Sequence, residues 1–186
     1  MTVTVVTPSL PGRGDMLREA IDSVNGQLIM PAAHLIGIDH ERAGTARAKP
    51  RLSSAATTEW VATLEDDDLL DPNHLTMLRG ATENADIVYS WCRVTGREGW
   101  NPNRLFDPQS LLEGNYIPST ALIRRDLILD LNGWKDSRDV PHGWDDWDFW
   151  KRALDLGARF RCVPEVTWTY RFWGGNKTIH GEDGCY

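Results

Sequence analysis

Four carboxylates stand in a row, Glu65, Asp66, Asp67 and Asp68, directly after the apolar run Trp60-Val61-Ala62-Thr63-Leu64. Like charges this close repel, and burying any of them is costly without a positive partner. The apolar run reads as a buried strand over 59–64, so the carboxylates fall at its C-terminal end. Two readings fit. One is helix capping plus a solvated acidic turn. The other is a divalent cation site, since Mg2+ and Mn2+ take one or two carboxylates together with substrate phosphate oxygens. Capping accounts for Asp71, which precedes Pro72 in the pattern of a helix start, and leaves the earlier carboxylates without that role. Ligands of open α/β sheets bind in the crevice outside such strand ends.

A second acidic group lies in "HGWDDWDFWKRALDLG", from His142 to Gly157. Asp145 and Asp146 open a helix expected over 145–156 and closed by Gly157, and carboxylates are favoured there by the exposed backbone N–H groups. Asp148 follows Asp145 by three positions and falls on roughly the same face. Trp147, Trp150 and Leu154 recur at helical spacing and are expected to face the core. A carboxylate among tryptophans loses solvation, its pKa rises, and it becomes a better base near neutral pH.

The elements that position these groups alternate through the first ninety residues. Strands are expected over 2–7, 34–39, 59–64 and 86–92. Between them lie a helix capped by Asp15 and ended by Gly26, a small-residue helix over 44–57 that Pro50 kinks or breaks, and a helix beginning at Asp71-Pro72. That alternation means an α/β domain with a mostly parallel sheet. From 93 to 109 the chain is polar and turn-rich. A strand over 119–123, a short helix over 126–131 and two late strands over 159–163 and 166–172 are expected around the acidic helix.

Composition bounds the rest. The 186 residues suffice for one domain with a hydrophobic core. Net charge is -7, which disfavours a nucleic-acid surface. Cys92, Cys162 and Cys185 are too few and too scattered for a disulfide framework or a zinc site. No apolar stretch is long enough to span a membrane and the N-terminus lacks the pattern of a signal peptide, so a cytoplasmic protein is expected. Asn176-Lys177-Thr178 fits a glycosylation sequon, read as chance in that setting. Nine tryptophans, five of them from Trp144 onward, hint at a pocket that packs against a sugar or base.

In four segments the chain resembles the family 2 glycosyltransferases of GT-A fold. "VTVVTPSLPGRGDMLREAIDSV" is similar to their opening strand, loop and helix, and "HLIGID" to their second strand. "TTEWVATLEDDDLLDPNHL" resembles the strand ending in their DxD metal motif, and "GWDDWDFWKRALDLGARFRCVPEVTWTYR" the segment bearing the catalytic base. The resemblance runs from about Thr2 to Phe172. It implies a single GT-A domain over 1–173 with a mostly parallel central sheet flanked by helices. Residues 1–92 would be the nucleotide-binding half, 93–173 the acceptor and catalytic half, and 174–186 a flexible tail.

The resemblance also assigns roles. Thr7, Pro8 and Ser9 would line the nucleotide pocket, Asp39 would hydrogen-bond the base, and Arg47 and Asp66 would lie near the nucleotide. Asp67 and Asp66 would carry a Mn2+ or Mg2+ ion, with Asp68 and His180 as further candidate ligands. Asp146 would be the catalytic base and Asp145 its acidic neighbour. The sequence departs from the family at Ser9-Leu10, at His40, at Lys49-Pro50 where an asparagine is common, and at Phe172-Trp173 where a histidine is common.

The implied reaction is inverting transfer of a sugar from a nucleotide diphosphate to an acceptor hydroxyl. Asp39 suits a UDP- or TDP-sugar, and the acceptor is a glycan, a protein or another hydroxyl compound. The leaving diphosphate gains negative charge, an oxocarbenium-like centre forms, and a base takes the acceptor proton. Two alternatives remain at this stage: a GT-A module that binds a nucleotide sugar or glycan without catalysis, and a hydrolase that uses the two acidic groups as acid and base.

Overall fold

The computed structural model describes residues 1–40, 45–136, 138–141 and 144–173. The tail over 174–186, with His180, Cys185 and the sequon, lies outside the described residues.

Two strands open the sheet, β1 (Val3–Ser9) and β2 (Ala33–Ile38), with helix α1 (Gly14–Asn25) between them. Helix α2 (Thr45–Ala55) leads to β3 (Trp60–Thr63) and the two-residue β4 (Leu69–Leu70). Then come α3 (His74–Gly80), β5 (Ile87–Thr95), α4 (Pro108–Glu113), β6 (Ala121–Arg124), α5 (Arg125–Asp130), α6 (Asp145–Asp155) and β7 (Phe160–Arg171). The seven strands form one sheet in the order β2-β1-β3-β6-β5-β7-β4. Five of them, β1, β2, β3, β5 and β7, point the same way, while β6 and β4 run against their neighbours.

Strands covered on both faces read as continuous apolar runs. All seven residues of β1 are buried, and so are all four of β3. Successive side chains of a strand take opposite faces. Val3 and Val5 therefore join Trp60, Ala62, Val88 and Leu122 against α1 and α3, where Ala20, Val24, Leu75 and Leu78 meet them. Val6, Val61, Ile87, Ala121 and Ile123 line the opposite face with Leu111, Leu127, Phe149 and Trp150 from α4, α5 and α6.

Several elements differ from expectation. Helix α2 passes through Pro50 without a break. Helix α1 is capped at Arg13, and Asp15 lies in its first turn. Asp71 to Asn73 form a turn, the His74 N–H donating to the Asp71 carbonyl at 3.0 Å, so α3 begins later than Asp71-Pro72 suggests. The two late strands are one, β7. In α6 the core face is Phe149, Trp150 and Ala153, with Trp147 and Leu154 only partly buried against it. No helix among the described residues is long and apolar enough to cross a membrane.

Candidate active site

Parallel pairing brings the C-terminal ends of β1 and β3 to one edge of the sheet, Val6 standing opposite Thr63. Three residues further along the chain from each, Ser9 at the end of β1 meets Asp66 in the turn after β3, its hydroxyl donating to Asp66 Oδ2 at 2.6 Å. Asp66 Oδ1 accepts from Arg13 Nη1, also at 2.6 Å. The same guanidinium is 3.5 Å from Asp67 Oδ2, which accepts the Trp173 indole N–H at 3.0 Å. Arg13 also lies over the Trp173 ring, 5.1 Å from its centre. A guanidinium and an indole thus cover the acidic pair, and their positive and N–H groups offset the like-charge repulsion.

Asp66, Asp67 and Asp68 are all buried, which excludes the solvated-turn reading. Burial pushes the Asp67 carboxyl above its ordinary range, the charges of Glu65 and Asp66 add to the rise, and Trp173 and Arg13 oppose it. Asp68 is held well above that range by burial and by Asp67. Its Oδ1 accepts the Arg171 backbone N–H at 3.1 Å, which pins the end of β7 to the acidic segment. The Arg171 side chain bonds the Asp67 carbonyl and pairs with Glu19 on α1.

Glu65 turns the other way. Its Oε1 accepts from Ser119 Oγ at 2.9 Å and pairs with Lys49 Nζ at 2.5 Å. Lys49 reaches Asp145 Oδ2 at 4.0 Å, so a buried cation links the end of β3 to the first turn of α6. Indole bonds fix that helix start: Trp147 Nε1 donates to the Leu111 carbonyl at 2.7 Å and Trp150 Nε1 to the Ile117 carbonyl at 3.0 Å. Asp146 Oδ1 accepts the Trp147 N–H at 2.8 Å. Burial, and then the charge of Asp145, push the Asp146 carboxyl above its ordinary range, with Lys49 pulling the other way. Asp148 takes no part, since Lys135 and Arg152 hold it at 3.2 and 2.6 Å.

The remaining sequence candidates are more scattered. Asp39 directly follows β2, its N–H donating to the Ser9 carbonyl at 2.8 Å. Thr7 and Pro8 are buried within β1, and Thr7 Oγ1 lies 2.9 Å from His34 Nε2. Arg47 is exposed and lies 3.5 Å from Asp136. Arg13 and Ser119 carry no role in the sequence reading, and Lys49 and Trp173 enter its assignment of roles only as departures from the family. Among the described residues no group of three or more His, Cys, Asp or Glu side chains is arranged around a metal position. Two adjacent carboxylates nonetheless fit a hard cation that draws its other ligands from phosphate oxygens and water.

The chain has the α/β architecture of the GT-A fold, as its likeness to solved structures shows. The chain is similar to S. aureus TarS (residues 1–349) in complex with UDP-GlcNAc, with a TM-score of 0.74 at 12% identity over 98% of this chain and 62% of that one. It is likewise similar to the mannosyltransferase PcManGT from Pyrobaculum calidifontis in complex with GDP-Man and Mn2+, with a TM-score of 0.71 at 18% identity over 95% of this chain and 59% of that one. In sequence it matches the uncharacterized glycosyltransferase YwdF of Bacillus subtilis (strain 168), 29% identical over 128 residues. That match spans 63% of this chain and 46% of YwdF, so the likeness covers less than half of the curated relative. No family model matches the chain.

Proposed function

We propose that the chain is a metal-dependent inverting glycosyltransferase that moves a sugar from a nucleotide diphosphate to an acceptor hydroxyl. One observation carries this reading. The acidic end of β3 and the acidic start of α6 belong to one connected site, joined by Lys49 at 2.5 Å from Glu65 and 4.0 Å from Asp145. Two acidic groups on unrelated surfaces would not support it.

Asp67 and Asp66 would hold Mn2+ or Mg2+, which would supply positive charge for the leaving diphosphate. Ser9 positions Asp66 by its 2.6 Å hydrogen bond, and Arg13 adds a second positive group at the same carboxylates. Asp39, next to Ser9, would read the base of a UDP- or TDP-sugar. Asp146 takes the proton of the attacking hydroxyl, and burial, by raising its pKa, makes it a stronger base than an ordinary carboxylate. Attack opposite the leaving group inverts the anomeric carbon. TarS and PcManGT, which bind UDP-GlcNAc and GDP-Man in their respective structures, support a nucleotide-sugar donor.

Thermal denaturation with UDP, TDP and GDP and their sugars, each with and without Mn2+, tests the assignment. A true donor raises the Tm by mass action, and the rise depends on the metal. Asp67→Ala should remove the metal-dependent rise. Asp146→Asn should retain it yet lower transfer by about 10²–10⁴-fold. Full transfer by both variants overturns the assignment. Trp173 favours a second reading, a binding module without catalysis, because its indole donates to Asp67 where the family commonly carries a histidine in this stretch. Turnover of any nucleotide sugar excludes that reading.

A further inference from the structure

Lysine is rarely fully buried, yet Lys49 is 2% exposed in the middle of α2. Its partners come from three other places in the chain. Glu65 follows β3 at 2.5 Å, Ser119 precedes β6 and accepts at 2.7 Å, and Asp145 opens α6 at 4.0 Å. Ser119 in turn donates to Glu65 at 2.9 Å, closing a triangle around the ammonium. The Trp134 ring lies 5.8 Å away on another side. The backbone of Lys49 is held as well. Pro50 packs so tightly on Gly133 that a Cβ added there would stand 2.7 Å from the proline ring. Burial works against the charge on Lys49, but Glu65, Asp145 and Asp146 outweigh it and hold the ammonium above its ordinary range.

We propose that Lys49 is a positioning residue that ties the acidic end of β3 to the first turn of α6, and so fixes the place and the charge of Asp146 relative to Asp66 and Asp67. This rests on the reading of Asp146 as the base. Asp146 is faced by Asp145 on its own helix and by Lys49 on α2, with the uncharged Asn115 side chain and the Trp147 N–H also bonded to it. Lys49 is the favourable charge in that set. Without it Asp146 holds its proton to higher pH, a smaller fraction is ionised at a given pH, and the acidic limb of the activity profile moves upward. A lysine that only filled space would be replaced by methionine with no such movement.

The experiment compares wild type, Lys49→Met and Lys49→Arg by carboxyl NMR titration, the Asp146 signal being assigned by its loss in Asp146→Asn. In Lys49→Met the Asp146 midpoint should move to higher pH, while Lys49→Arg keeps it near the wild-type value. With donor and acceptor present, kcat/KM of Lys49→Met should fall about tenfold or more at pH 6 and recover at alkaline pH, the loss lying in kcat rather than KM. If Lys49→Met does not fold, Lys49→Met/Glu65→Gln removes the two opposite charges together, and an upward movement is still expected, reduced by the loss of the Glu65 charge. An unchanged midpoint in every folded variant overturns the inference, even in an active transferase. A moved midpoint in a protein that turns over no nucleotide sugar supports the placement of Lys49 and defeats the transferase reading instead.

Discussion

His74 is 1% exposed, with Nδ1 2.8 Å from Thr167 Oγ1, and that hydroxyl lies 2.7 Å from Ser90 Oγ. Burial pulls its pKa from 6.5 down to about 3, against a smaller upward pull from Thr167, so the ring is neutral in the fold. The unfolded chain takes up a proton near pH 6.5 that the folded chain refuses. The contribution of His74 is therefore complete above pH 6.5 and is lost progressively as pH falls towards the folded pKa. Between pH 6.5 and pH 5 this amounts to about 2 kcal/mol. Urea midpoints at pH 8 and pH 5 should show that drop in wild type, and His74→Gln should flatten it whatever its own stability. At this scale the sequence revealed the acidic residues but not what covers them. Arg13 and Trp173 reach Asp66 and Asp67 across 53 and 106 positions, and no local pattern encodes such pairs. Lys49 was illegible for a different reason, since its type alone suggests an exposed side chain.

Elements of regular pattern were legible, and those shaped by long-range pairing were not. The alternation that placed β1, β2, β3 and β5 is local. By contrast β4 is two residues long and exists because Leu69 and Leu70 pair with Thr169 and Trp168 of β7. Two late strands are expected where one is found, and the gap between them holds Pro164, which cannot donate to a sheet ladder. The pairing of β5 with β7 instead steps from Ser90–Val163 to Trp91–Val166, so Pro164 and Glu165 sit in an irregularity and the strand continues. Helix α4 did carry a signal, in Asp107 accepting the Ser110 N–H at 2.6 Å with Pro108 at the first turn, but its six residues bury only Leu111. The end of β7 matters most to the site, since it delivers Arg171 and Trp173. Gly96 adopts φ +79, and an added Cβ would overlap the Phe172 carbonyl. Gly96→Ala should cost about 2–4 kcal/mol and push Trp173 off Asp67. Gly99 has φ +73 and nothing near its missing Cβ, so Gly99→Ala should cost about 1 kcal/mol and leave the site intact. Melting curves, together with Trp fluorescence as nucleotide is added, separate the two.

Taken whole, the proposed division of function is not a division of folding. The residues proposed for the nucleotide belong to 1–92 and the proposed base to 93–173, yet one sheet contains both. Strand β6 from the later half lies between β3 and β5 of the earlier half, with Val61 opposite Ile123 and Val88 opposite Leu122. The sequence could not announce that insertion, because Val61 and Ile123, or Val88 and Leu122, pair across stretches of chain too long to leave a local trace. Each face of the sheet mixes side chains from both halves, Val6 and Val61 meeting Phe149 and Trp150 on one side. A fragment of residues 1–92 would expose the apolar edges of β3 and β5 and lose most of that face. It should show no cooperative thermal transition and should aggregate. The full chain should unfold in one step, with far-UV circular dichroism and tryptophan fluorescence giving the same midpoint. A sharp transition in the fragment, or two separated midpoints in the full chain, would mean that the halves fold independently. In that case the ion pairs of Lys49 would join two bodies rather than brace one, and the site would have to be read as an interface.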